Sequence, residues 1–247
     1  MLAKSLRILC FGDSLTAGYS ASTYPTLHAY AGALETSLKA AYPQLNISTD
    51  VQGFLGDQTE CPAFVCPGFL PRIEKLYENT PGYDYAIILG GTNDLHWNRT
   101  VDNIFTSIQK VWNIALTNHT KVLALTVPEC GDCGNETDVK TLALNSNIIN
   151  HVASNFYTFN LHDSVPYWNM TAAERSSYWD DGIHWTPKGY DLVGGRIAER
   201  MLEMLKANNQ TNQTQPTNHG GLGRGNIGSV LNVLLFAIFG HLGLMFS

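Results

Sequence analysis

Ser14 lies in Phe11-Gly12-Asp13-Ser14-Leu15, directly after the first apolar run of the chain. A serine at a strand-to-loop turn presents its hydroxyl above a sheet edge with backbone N–H groups free beside it, as a nucleophile requires. A hydroxyl attacks poorly until an imidazole takes its proton. The imidazole in turn needs a carboxylate to fix its tautomer and stabilise its cation. Asp181-Gly182-Ile183-His184 supplies both groups on one loop, spaced so that Asp181 and His184 can converge opposite Ser14. Each string alone also has a plain reading: a polar turn capped by Ser14, and a loop where Asp180 and Asp181 are solvated and His184 caps a helix.

A tetrahedral intermediate needs two or three fixed donors at its oxygen. The backbone N–H groups of Ser14 and Gly56 and the side-chain amide of Asn93 are the candidates. Gly56 belongs to Gly53-Phe54-Leu55-Gly56-Asp57 and Asn93 to Gly90-Gly91-Thr92-Asn93-Asp94. Glycines for tight turns and an Asx-turn at Asn93 would explain these segments singly. Together, at successive strand ends, they make one catalytic set. Gly53 is the alternative glycine, since it lies in the same loop.

These groups need a scaffold. Short apolar runs at Leu6–Phe11, Ile47–Gln52, Tyr85–Leu89, Val122–Val127 and Phe156–Phe159 alternate with segments of helical pattern. The helices are expected at Tyr24–Ala41, Gly68–Glu78, Val101–Asn118 and Val139–Asn155, with a last one capped by Thr186-Pro187 and running to Ala207. Continuous apolar strands separated by helices imply an α/β fold, a three-layer α/β/α sandwich on a five-stranded parallel sheet of flavodoxin-like order. Chemistry in such sheets sits at the carboxyl ends of the strands, where these motifs fall.

The segments around Ser14, Gly56, Asn93 and His184 resemble the sequence blocks of the GDSL esterase/lipase superfamily, the SGNH hydrolases. Leu89-Gly90-Gly91-Thr92-Asn93-Asp94-Leu95 and Asp181-Gly182-Ile183-His184-Trp185-Thr186-Pro187 are close to the family consensus, and the likeness extends from Leu6 to Leu205. The resemblance implies Ser14 as nucleophile, His184 as base, Asp181 as its acid partner, and Gly56 and Asn93 as oxyanion donors. It also implies a metal-free, cofactor-free hydrolase acting on small-molecule or glycan esters. The substrates open to it are acetylated carbohydrates, lysophospholipids and short-chain or aryl esters, the first two preferred. A silent surface-binding protein on the same fold is the rival, weakened because no member of the set is missing. A nucleotide- or flavin-binding domain would need a G-x-G-x-x-G loop or a phosphate-binding lysine.

The chain has 247 residues and a net charge of −6, enough for one full core and too acidic for a nucleic-acid partner. Residues 1–207 form the expected hydrolase domain. Residues 208–226 are a polar stretch expected to be a disordered linker. Residues 227–247 are an uncharged apolar tail, read as a glycosylphosphatidylinositol (GPI) signal with Asn218, Gly220 or Gly221 as attachment sites, or as a spanning helix. Seven Asn-X-Ser/Thr sequons, at Asn46, Asn98, Asn118, Asn135, Asn169, Asn209 and Asn212, exceed the roughly three of chance and point to the secretory pathway. A signal peptide is therefore expected to be missing from this chain, since Ile8–Phe11 is too short for one. In that compartment Cys61/Cys66 and Cys130/Cys133 read as two local disulfides rather than a four-thiolate zinc site, leaving Cys10 as a buried thiol. Trp168, Trp179 and Trp185 cluster around the His184 segment and Tyr19 near Ser14, to wall a pocket or pack a core. His96 and Trp97 follow the Asn93 block as structural or pocket-lining residues, and Glu129 reads as a solvated loop charge.

Overall fold

The computed structural model describes residues 5–62 and 64–213. The chain runs β1 (Ser5–Gly12), α1 (Ser14–Ala17), α2 (Ala31–Ala41), β2 (Asn46–Gly53), α3 (Phe69–Asn79), β3 (Tyr85–Leu89) and α4 (Thr92–His96). It continues through α5 (Val101–Thr117), β4 (Lys121–Leu125), α6 (Asn135–Asn150), β5 (Phe156–Phe159), α7 (Leu161–Ser164), α8 (Ala172–Tyr178) and α9 (Pro187–Gln213). The sheet is wholly parallel in the order β2-β1-β3-β4-β5, as the alternation of apolar runs and helices implied. The order reverses between β1 and β3, and such a switch point opens a crevice at the carboxyl edge.

The alternation of side chains along each strand feeds two cores. Ile8, Cys10, Ile87, Leu89, Leu123 and Leu125 point to the side covered by α2 and α9, meeting Leu34, Leu38, Val193, Ile197 and Met201. Leu9, Phe11, Ala86, Ile88, Val122 and Ala124 point to the side covered by α3, α5 and α6, meeting Ile73, Ile108, Trp112 and Ile148. Removing several methylenes from such filled positions costs about 2–5 kcal/mol. Burial pushes the Cys10 thiol up to about 12, so it stays protonated and inert. Cys61–Cys66 and Cys130–Cys133 are disulfides, as expected.

Some boundaries differ from those read off the sequence. No helix starts at Tyr24: Pro25 lacks the N–H a helix interior needs and disfavours helical backbone before it, so α2 begins only at Ala31. The apolar run at Val122–Val127 begins and ends its strand earlier, at Lys121–Leu125. α6 starts at Asn135, beyond the Cys130–Cys133 turn, and α9 continues to Gln213, past the expected end at Ala207. Extending a formed helix adds one hydrogen bond per residue fixed, so polar residues can follow it without an apolar stripe. Thr186 does cap α9, its Oγ1 accepting from Gly189 N at 3.1 Å. The rest of the linker and the apolar tail lie outside the described residues. Among those described, no helix is long and apolar enough to cross a membrane.

Candidate active site

The parallel register sets Gly12 beside Gly53 on one flank and Leu89 on the other. The segments that follow these three residues therefore leave the sheet together. α1 starts at once: Asp13 is its N-cap, and its Oδ1 accepts from Leu15 N at 2.9 Å. That turn holds Ser14 at the first helical position, where a helix leaves its N–H groups unpaired. Ser14 is 8% exposed, enough for its hydroxyl to meet the crevice.

His184 reaches Ser14 from a distant part of the chain. Ser14 Oγ and His184 Nε2 are 2.9 Å apart although the residues are 170 positions apart in the chain. His184 Nδ1 faces Asp181 Oδ2 at 2.8 Å. A carboxylate accepts only, so Nδ1 carries the proton and Nε2 is left to accept from the hydroxyl. Asp181 Oδ1 accepts from Ile183 N at 3.0 Å and His184 N at 2.7 Å, which folds the loop around the carboxylate. Burial works against the Asp181 charge. The hydrogen bonds from His184 and Ile183 and the positive end of the imidazole outweigh it, holding the carboxyl below its usual range. Asp180 points elsewhere, accepting from Ser22 N at 3.1 Å. The Tyr19 ring packs edge-on against the His184 ring at 4.7 Å.

The two glycines divide their roles. Gly53 lies against α1, where an added Cβ would fall 2.2 Å from Ala17 N; it permits the close approach of β2 to the Ser14 turn. Gly56 turns the following loop with φ at +75°, a conformation glycine enters freely, and space around it is open. Neither Ser14 N nor Gly56 N has an acceptor among the described residues. Asn93 Nδ2 donates to Asp57 O at 2.9 Å and lies 3.5 Å from Asp13 Oδ2, which fixes the amide over the same crevice. The arrangement can activate a hydroxyl and present donors to a developing oxyanion.

Beneath it lie buried groups that the sequence did not single out. Asp57 Oδ2 pairs with Arg72 Nη1 at 2.6 Å, and Arg72 also donates to Gly12 O at 3.0 Å and Gln52 O at 2.5 Å. One guanidinium thus clamps the ends of β1 and β2 to the Gly56 loop. Asp94 accepts from Thr59 N and Oγ1 at 3.0 and 2.8 Å, tying α4 to that loop. Burial raises the Asp94 carboxyl, against those hydrogen bonds and the charge of Arg99. The available signal was an arginine on the otherwise apolar start of α3 and an aspartate after each motif glycine or asparagine.

One further expectation is corrected. Glu129 is not a solvated charge: its Oε2 accepts from Tyr167 N at 2.5 Å and Trp168 N at 2.8 Å, because the turn there leaves two amides needing an acceptor. Trp179 and Trp185 are core residues, 4% and 0% exposed, whereas Trp168 is 55% exposed. His96 and Trp97 are exposed and pack on each other, rings 6.3 Å apart, as α4 ends at the surface. No group of three metal-ligating side chains occurs among the described residues.

The fold is shared with Est24, a carbohydrate acetylesterase from Sinorhizobium meliloti, at 22% identity and TM-score 0.61 over 81% of this chain and 99% of that one. It is shared also with the native aryl esterase of M. smegmatis, at 23% and 0.63 over 80% and 99%. A carbohydrate esterase family 3 protein from Talaromyces cellulolyticus matches at 15% and 0.58 over 82% and 99%. A search of curated proteins found no match. The model of the GDSL-like lipase/acylhydrolase family matches residues 10–192, and the chain belongs to that family. Its class of activity is carboxylic ester hydrolysis.

Burial pushes the Asp13 carboxyl up to about 7, opposed by the Leu15 hydrogen bond and reinforced by the Asp94 and Asp57 charges. A folded pKa above the ordinary value near ~4 means that folding takes up a proton between the two. The associated stability is present below about pH 4 and is lost as pH rises through about 7. Asp13→Asn keeps an oxygen for Leu15 N. It should therefore melt higher than the parent at about pH 8, with the gap closing near pH 4. Equal melting temperatures at the higher pH would contradict the assignment.

Proposed function

We propose that Ser14, His184 and Asp181 form the catalytic triad of this ester hydrolase, with Ser14 N, Gly56 N and Asn93 Nδ2 as its oxyanion hole. The observation that carries the reading is the continuous chain of contacts from Ser14 Oγ through the His184 ring to Asp181, at 2.9 and 2.8 Å. Ser14 Oγ attacks the acyl carbonyl carbon as Nε2 takes its proton. The carbonyl oxygen becomes an oxyanion that accepts from the three donors. Collapse expels the alcohol, which leaves with the proton from Nε2, and the acyl group stays on Ser14. Water then attacks that ester with His184 again as base, releasing the carboxylic acid and restoring the serine. Asp181 holds the imidazole and stabilises its cation throughout. The reaction so written calls for no metal or cofactor.

For the substrate we favour esters of acylated carbohydrates. The naming of two similar folds, from Sinorhizobium meliloti and Talaromyces cellulolyticus, as carbohydrate esterases supports this. The site of action we propose is extracellular or at the cell surface. Two disulfides fit an oxidising compartment. The five sequon asparagines with described side chains, Asn46, Asn98, Asn118, Asn135 and Asn169, are all exposed, as glycosylation demands. Attachment through a GPI anchor at the tail belongs to the same proposal. Expressed behind a signal peptide in a eukaryotic host, the protein should lose apparent mass on N-glycan removal and leave the cell surface on treatment with phosphatidylinositol-specific phospholipase. Secreted protein that carries no N-glycans, or that stays on the cell surface after the phospholipase, contradicts it.

Variants test the mechanism. Ser14→Ala should abolish turnover and His184→Ala should cost nearly as much, since triad members act as a unit. Asn93→Ala should lower kcat by about 10²–10³ with little change in KM. Asp181→Asn, which misdirects the tautomer, should be severe, whereas Asp180→Asn should be mild. Steady-state kinetics on purified variants decide; full activity in Ser14→Ala overturns the reading.

A further inference from the structure

Leu15 follows Ser14, Thr92 precedes Asn93 and Ile183 precedes His184, and all three line one narrow cavity. Its volume is about 20 Å³, room for roughly one water-sized body. Val127, just past β4, and the Cys130–Cys133 disulfide close it. Beyond Glu129, Cys130 and Thr141, which border both spaces, the surface opens into a groove of about 260 Å³ that reaches Leu142, His162 and Trp168.

The wall between the two is held from several directions. Gly131 N donates to Gly182 O at 2.7 Å, fastening the disulfide turn to the Asp181–His184 loop. Gly131 lies flat on the Tyr167 ring, where an added Cβ would fall 2.1 Å from Cζ. Glu129 accepts from the amides of Tyr167 and Trp168, and the disulfide closes the turn on itself. A wall pinned in this way does not yield to a longer ligand.

Resting on the triad reading above, the orientation of a bound ester follows. Its carbonyl oxygen points to Ser14 N, Gly56 N and Asn93, and its alcohol to His184 Nε2. The Leu15–Thr92–Ile183 cavity remains for the acyl chain. We propose that the Cys130–Cys133 turn is the specificity-determining wall of an acyl slot sized for acetyl. A methyl group fills the slot, and a longer chain meets the disulfide before it can reach the groove beyond.

The test is kcat/KM for p-nitrophenyl acetate, butyrate and octanoate, using the full chain. Forcing extra methylenes into a filled space is costly enough that acetate should exceed octanoate by at least about 100-fold. Cys130→Ser/Cys133→Ser should join slot to groove and raise the octanoate-to-acetate ratio by about tenfold or more. Val127→Ala deepens the slot and leaves the disulfide in place. It should raise butyrate relative to acetate several-fold while octanoate stays poor, and it supplies the reading if the double variant does not fold. Octanoate hydrolysed as fast as acetate by the parent, or an unchanged ratio in a folded double variant, overturns the proposal. Acetate hydrolysis retained by Ser14→Ala would instead sink the nucleophile assignment on which the slot rests, so the two failures are distinguishable.

Discussion

Gly12 pairs with Gly53 on one side and Leu89 on the other, and the site depends on that register. The carboxyl ends of three parallel strands fall level. The Ser14 turn, the Gly56 loop and the Asn93 helix then leave the sheet from adjacent points at the place where strand order reverses. A slip of one residue in β1 would move every side chain of that strand to the opposite core, since its faces alternate between two filled clusters. Core packing thus fixes the register of the proposed site, and no loop has to carry that information. His184 then needs only to be delivered by a loop anchored to the capped start of α9.

The same edge concentrates buried charge. Asp13, Asp57 and Asp94 are each at most 1% exposed and lie close beneath the crevice. Only Asp57 has a close guanidinium partner, Arg72; Arg99 stands 3.9 Å from Asp94. Taking carboxylates out of water is costly unless they are hydrogen-bonded or paired, and here the bonds go to the Leu15 amide, to Thr59 and to Gly68 N. Each of those bonds positions a segment that carries a site residue or its neighbour. On the proposed reading, the fold gives up stability at this edge for donors held in place before substrate arrives, which is what electrostatic stabilisation of a transition state requires.

Much of this was legible in the residues. The runs of β1, β3 and β4 were plain because a strand buried on both faces needs no polar alternation, whereas the edge strands β2 and β5 are only partly buried. Thr186-Pro187 marked the start of α9 through capping chemistry. Ser14, Asp181 and His184 stood out because nucleophile, base and carboxylate must occur together. What stayed hidden was tertiary. Arg72 is one cation in an ordinary helical segment, and its role appears only when the ends of β1 and β2 are seen side by side. Glu129 looked solvated because its partners, the amides of Tyr167 and Trp168, are far along the chain. Gly53 and Gly56 were inseparable by composition. Their difference is the closeness of Ala17 to one and the positive φ of the other.

The central claim is that Ser14 is the residue that becomes acylated. Its most direct test is reaction of the purified, active protein with a fluorophosphonate, followed by peptide mass spectrometry. The account predicts a single adduct on Ser14, absent from His184→Ala. An adduct on another serine, or none on a protein that still hydrolyses esters, would contradict it.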